Sequence, residues 1–192
     1  MNAIEVKDIT KKYDNFRLNH VSLQIPEGTI YGLIGENGAG KTTLINCILG
    51  LVQPNYGDVV VLGSKNFINE VELKDQLGFV INDMGIPNIL TVYKIEEIFS
   101  KIYKHWDHIQ FEKLLKQFEI NEDEKYETLS LGNKMRIAIA IALSHNAKLL
   151  VLDEPMNALD PAIRAEVVEL LIEYTRQEDH TILISSHIVT DL

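Results

Sequence analysis

Residues 35 to 42 of this 192-residue chain read Gly35-Glu36-Asn37-Gly38-Ala39-Gly40-Lys41-Thr42, and no other stretch constrains the fold as tightly. The spacing is G-x-x-x-x-G-K-[ST], which predicts a phosphate-binding loop. Glycines let backbone N–H groups turn inward around phosphate oxygens, Lys41 can reach the β and γ phosphates, and the Thr42 hydroxyl can ligate Mg2+. A helix behind the loop would point its positive end at the anion. The flanks agree. Ile30 to Ile34 predicts a short buried strand, and Thr42 to Leu49 predicts a helix stopped near Gly50. A glycine-rich turn that served only the backbone would not need Lys41 and Thr42.

A second apolar run, Lys148 to Leu152, ends in Asp153 and Glu154. A buried strand there delivers two carboxylates at its C-terminal end, where ligands bind in α/β sheets. Asp153 can hold the Mg2+ shell and Glu154 can accept a proton from an attacking water. Together the two motifs define a P-loop nucleoside triphosphatase.

The rest of the chain supplies an α/β frame. Ile4 and Val6, then Val21, Leu23 and Ile25, alternate with polar residues as half-buried antiparallel strands do, and Asp58 to Leu62 predicts another strand of that first sheet. Leu77 to Ile81 and Thr181 to Ser185 predict further buried strands. Apolar residues recur at helical spacing from Tyr93 to Phe118, and Ile137 to Leu143 is apolar on every face. Asp160-Pro161 predicts a capped helix start. The acidic stretch Glu119 to Glu127 reads as a solvated linker. The expected fold is a mainly parallel sheet with an N-terminal antiparallel β subdomain and an inserted helical subdomain. As one domain over 1–192, it divides into 1–82, a helical part 83–130, and 131–192.

Further motifs narrow the class. Leu129-Ser130-Leu131-Gly132-Asn133 resembles the L-S-G-G-Q signature of ABC ATPases, Asn157-Ala158-Leu159-Asp160 resembles their D-loop, and Ser185-Ser186-His187 resembles their switch-histidine segment. Tyr13 stands where that family places an aromatic ring on adenine. Motif order and spacing agree across the chain. The resemblance implies ATP and Mg2+ as ligands. It implies ATP contacts from Tyr13, from Gly35, Glu36, Asn37, Gly38, Ala39, Gly40, Lys41, Thr42 and Thr43, and from Asn82. Metal contacts would come from Thr42, Asp153 and Asn82. Catalytic roles fall to Lys41, Glu154 and His187. Ser130 and Gly132 would contact the γ-phosphate bound to a second subunit, and Asp160 would link the two sites.

Two departures stand out. Leu131 replaces the first signature glycine and Asn133 the glutamine. In the loop after Leu77, Asn82 takes the place of the family's glutamine and is one methylene shorter. Asp83 is the alternative there, and a third reading has the loop only bend the chain into the helical part. The chain also stops five residues past His187, where family members continue with a further helix and strand; the expectation is a truncated or naturally short form.

The resemblance implies the ATP-hydrolysing subunit of an exporter, paired with a second such subunit and docked on a separate transmembrane permease. Its place would be cytoplasmic, peripheral on the inner face of the cell membrane. The start MNAIEVKDITKKY alternates like a strand and does not read as a signal peptide. A soluble ABC-type ATPase acting on nucleic acid or ribosomes is the alternative. It is disfavoured by the net charge of -10 and by the single cassette without a sustained heptad run. No nucleic acid is therefore expected as a partner. A GTPase would carry Asn-Lys-x-Asp, which is absent. Cys47, the single cysteine, lies among apolar neighbours and reads as a small buried side chain, and the five remaining histidines read as surface or satisfied core residues.

Overall fold

The computed structural model describes residues 1–176 and 180–187. The alternating N-terminal residues form β1 (Asn2–Tyr13) and β2 (Phe16–Pro26), paired antiparallel, and β4 (Tyr56–Val61) adds to the other side of β1. The second sheet is parallel. It contains β3 (Ile30–Ile34), β5 (Leu77–Val80), β6 (Leu149–Leu152) and β7 (Thr181–Ser186), in the lateral order β3-β7-β6-β5. The last described strand, β7, therefore lies between the strand before the phosphate loop and the strand before the carboxylates.

Both faces of that parallel sheet are covered, which is why its inner strands read as unbroken apolar runs. Leu149 and Val151 of β6 face one hydrophobic cluster, with Leu183 and helix α1 (Lys41–Ile48), between the parallel sheet and the antiparallel one. Leu150 and Leu152 face the other, with Ile182, Ile184 and the helices α3 (Val92–Ile102), α4 (His108–Gln117), α5 (Leu131–Leu143) and α6 (Pro161–Thr175). A short helix α2 (Val71–Lys74) precedes β5. Helix α5 is buried from Ile137 to Leu143, as its uninterrupted apolar sequence requires.

Capping follows the sequence. The Thr91, Asp107 and Asp160 side chains accept backbone N–H bonds at the starts of α3, α4 and α6. The acidic stretch 119–127 is a linker that also caps a helix, since the carbonyls of Glu122 and Glu124 accept from the first N–H groups of α3. One expectation is corrected. Strand β3 is not buried; Ile30 and Ile34 are 48% and 49% exposed, because β3 is the edge of the described sheet. The stretch 93–118 is helical as expected and holds two helices, separated between Ile102 and His108, with Asp107 capping the second. At the break, the Tyr103 ring stacks on buried His145 at 3.7 Å. Both His145 nitrogens meet backbone carbonyls, of Ile141 and Leu77, so that histidine is a satisfied core residue, and burial depresses its pKa. Cys47 is buried.

Candidate functional site

The phosphate loop turns on glycines at positive φ, 83° at Gly38 and 100° at Gly40. At Gly40 the need is also steric: a Cβ there would lie 2.7 Å from the Phe16 ring. Gly40 is the N-cap of α1 and no side chain caps that end, so helix N–H groups remain for an anion. The loop is anchored by the Gly35 N–H, which donates to the Ser186 carbonyl at 3.3 Å. Glu36, Asn37 and Ala39 are exposed on the loop, and Thr43 is half-buried within α1.

Lys41 folds back over this loop. Its ammonium donates to the carbonyls of Gly35 at 2.6 Å and Glu36 at 3.2 Å, and it pairs with Glu154 Oε1 at 3.0 Å. Across the site, Asp153 is buried and accepts at both oxygens. Thr42 Oγ1 donates to Oδ2 at 2.7 Å and Ser185 Oγ donates to Oδ1 at 2.6 Å. Glu154 carries a positive φ of 49°, in the left-handed region that non-glycine residues seldom occupy. Its Oε2 accepts from His187 Nδ1 at 2.9 Å and from Asn157 Nδ2. Burial is the largest influence on Glu154 and pushes its pKa up. The hydrogen bonds from Asn157, Lys41 and His187 together outweigh it and hold the carboxyl below its ordinary value.

The structure thus brings Lys41, Thr42, Asp153, Glu154 and His187 into one hydrogen-bonded group. Tyr13 ends β1 with its ring 48% exposed and 6.4 Å from that of Phe16, the residue packed on Gly40. Ser130 caps α5, accepting from the Asn133 N–H at 3.1 Å. A Cβ on Gly132 would lie 2.9 Å from the Ala158 carbonyl, so the signature rests directly on the loop that holds Asn157 and Asp160. Asp160 caps α6 and lies 3.5 Å from Arg136. The in-chain hydrogen bonds of Ser130 reach Asn133 and Lys134, not the phosphate loop. Asn82 is exposed after β5, and its side chain makes no hydrogen bond among the described residues, while Asp83 accepts from the Gly85 N–H in a local turn.

Sequence reasoning missed Phe16, Asn157 and Ser185 as parts of this group. For Ser185 a signal was present: it is a polar residue at the end of an apolar buried strand, and a buried hydroxyl needs partners. The donors fit a hard cation. A threonine hydroxyl and a carboxylate 2.7 Å apart at a phosphate nest are the oxygen pair that Mg2+ uses alongside substrate phosphates and water.

This geometry is that of a nucleotide-binding cassette, and the chain belongs to the ABC transporter family, whose model matches residues 18–157. It is 35% identical to the bacitracin transport ATP-binding protein BcrA of Enterococcus faecalis over 99% of this chain, and 34% identical to that of Bacillus licheniformis over 98%. It spans 63% of the length of each of those relatives. A probable multidrug ABC transporter ATP-binding protein of Escherichia coli is 32% identical over 98% of this chain and 34% of its own length. Among solved structures, a dimeric bacterial ABC transporter cassette superposes with a TM-score of 0.84 at 27% identity, covering 98% of this chain and 89% of that one. A dimeric post-hydrolysis cassette bound to ADP and Pi gives 0.83 at 26% identity, with the same coverage. Among the described residues, no helix is long and apolar enough to cross a membrane.

Proposed function

We propose that the chain is the ATP-hydrolysing subunit of an exporter, working as a pair around ATP and coupled to a separate transmembrane permease. The observation that carries this reading is the join between the phosphate loop and the carboxylates, in the Lys41–Glu154 and Thr42–Asp153 contacts. Triphosphate oxygens enter the nest of 35–43 and take over the Lys41 ammonium from Glu154. Released, Glu154 accepts a proton from a water whose oxygen bonds to the γ-phosphorus. The bond from that phosphorus to the bridging oxygen breaks, and ADP leaves with its electrons. His187, beside Glu154, reaches the γ-phosphate, and Tyr13 stacks on adenine. Thr42 and Asp153 would hold Mg2+, which when bound neutralises charge on the phosphates; Asn82 is the remaining candidate ligand.

A phosphate loop covers ATP on one side only. Ser130 and Gly132 stand at an α5 terminus suited to an anion, and their in-chain contacts leave the phosphate loop of the same chain alone. The γ-phosphate of a second copy is the partner they fit, with Asp160 between the two sites. The dimeric cassettes support this pairing. A groove lined by apolar Leu51, Val71, Phe79 and Ile102 and by charged Glu72, Lys74 and Lys104, apart from the phosphate loop, supports docking of a permease on the helical side. In this reading the chain works at the cytoplasmic face of the membrane.

A ligand that binds only the paired state favours pairing by mass action. Glu154→Gln keeps the shape and removes the base, so this variant should be monomeric without nucleotide and dimeric with Mg-ATP. Adding Ser130→Arg should return it to the monomer, read by light scattering after size-exclusion chromatography. A Glu154→Gln chain that binds ATP and stays monomeric would sink the two-subunit mechanism.

A further inference from the structure

Three consecutive residues at the end of β7 touch the site in three ways. His187 reaches the Glu154 carboxylate, the Ser186 carbonyl holds the start of the phosphate loop, and Ser185 touches both carboxylate residues. The His187 contact falls on a side chain already read as part of the site, and the Ser186 contact anchors the loop. The Ser185 contacts are of neither kind.

Ser185 is buried, at 1% exposure. Its hydroxyl donates to Asp153 Oδ1 at 2.6 Å and accepts from the backbone N–H of Glu154 at 2.9 Å. A serine hydroxyl has one donor and two acceptor sites, so both bonds form together without competition. One oxygen therefore holds the side chain of Asp153 and the main chain of Glu154. The other Asp153 oxygen is held by Thr42, which leaves that carboxylate no freedom to swing. At Glu154 the effect is on the backbone. Its φ of 49° is a conformation that persists only where surrounding contacts enforce it, and the Ser185 bond is the tie on its N–H. That twist aims the Glu154 side chain at Lys41 and His187.

The sheet order explains why this residue can do it. Strand β7 lies between β3 and β6, with Ser185 in register with Leu33 just before the phosphate loop and Ile184 in register with Leu152 just before Asp153. An apolar residue here would fill the space equally well. It would leave the Glu154 N–H without its partner and Asp153 Oδ1 without its donor.

We propose that Ser185 is a positioning residue for ATP hydrolysis, setting the orientation of Asp153 and the backbone turn of Glu154 without itself touching nucleotide. This rests on the reading that the chain hydrolyses ATP. A residue that acts through the base lowers turnover far more than nucleotide affinity, most of which the phosphate loop supplies. Ser185→Ala should lower kcat about 10- to 100-fold, the scale of a misplacement near 1 Å, with little change in Mg-ATP affinity by calorimetry. In a Glu154→Gln background the same substitution should lower the residual rate by a smaller factor, because one of the two groups it positions is already gone.

Wild-type kcat in folded Ser185→Ala overturns the proposal. So does an affinity loss as large as the kcat loss, and so does an equal fold-loss in the Glu154→Gln background. Should Ser185→Ala fail to fold, Ser185→Cys keeps the volume with a weaker donor. An intermediate kcat at unchanged affinity then supports the proposal, and wild-type kcat overturns it. An inactive wild-type chain is a different result: it removes the ATP-hydrolysis reading itself.

Discussion

The ammonium of Lys41 is engaged within its own chain, by two loop carbonyls and by Glu154 at 3.0 Å, with the Lys41 and Glu154 side chains only 6% and 11% exposed. Triphosphate must compete with Glu154 for that charge. Glu154→Gln should therefore raise the affinity for Mg-ATP even as it slows hydrolysis to a small residual rate. The gross attraction of two unit charges at this separation is about 5.5 kcal/mol with an effective dielectric near 20. Exchange with water reduces a charge-assisted bond to a net of about 1.5–3 kcal/mol. Glutamine still offers Lys41 a neutral oxygen, and neutral bonds are roughly half as strong, so about 0.75–1.5 kcal/mol of competition disappears. That is an affinity gain of about 4- to 12-fold. Removing the repulsion between Glu154 and the γ-phosphate acts in the same direction. The measurement is calorimetry with Mg-ATP in a Ser130→Arg background, at concentrations where light scattering shows monomer, so that pairing adds nothing to the binding heat. Equal or weaker binding by a folded Glu154→Gln chain would refute the competition argument.

Lys41→Ala should leave the circular dichroism spectrum unchanged and weaken Mg-ATP binding by about 1.5–3 kcal/mol, since no other cation reaches the loop among the described residues; unchanged affinity would remove the phosphate-loop assignment. Tyr13→Phe should be nearly silent and Tyr13→Ala should weaken all adenine nucleotides, because the exposed ring and not its hydroxyl does the stacking; equal small effects would return Tyr13 to ordinary packing. Gly132→Ala puts a Cβ 2.9 Å from the Ala158 carbonyl. It should cost about 1–3 kcal/mol in urea unfolding and depress turnover through the shifted loop, and an unchanged midpoint would contradict that contact. The Glu154 carboxyl lies below its ordinary value of 4.5. Its folded-state charge therefore stabilises fully above that pH, and the contribution is lost as pH falls through the lower folded-state value. Glu154→Gln should flatten the stability–pH curve in that acid window, and identical curves would mean the ion pair contributes nothing to the fold.

The phosphate loop was legible because its chemistry is local. Glycines that permit positive φ, a lysine that folds back over its own loop, and a helix start with free N–H groups all lie within residues 35–43. The buried strand before Asp153, the cap at Asp160 and the all-round apolar α5 were legible for the same reason: periodicity and capping are short-range properties. Other features depended on which elements lie side by side. Ile30 to Ile34 has the composition of a buried strand, yet β3 is half exposed at the edge of the described sheet, and a strand's lateral position is not written in five residues. Ser185 shares a motif with His187 in the sequence, but its hold on Asp153 and Glu154 arises only when β7 enters between β3 and β6. Parallel neighbours are joined by long crossovers, so lateral order is decided by how helices cover the sheet, not by spacing along the chain. The residues able to do the chemistry could be named from the sequence, whereas the lateral order of the strands determined which hydroxyl, carboxylate and ammonium meet within hydrogen-bond distance.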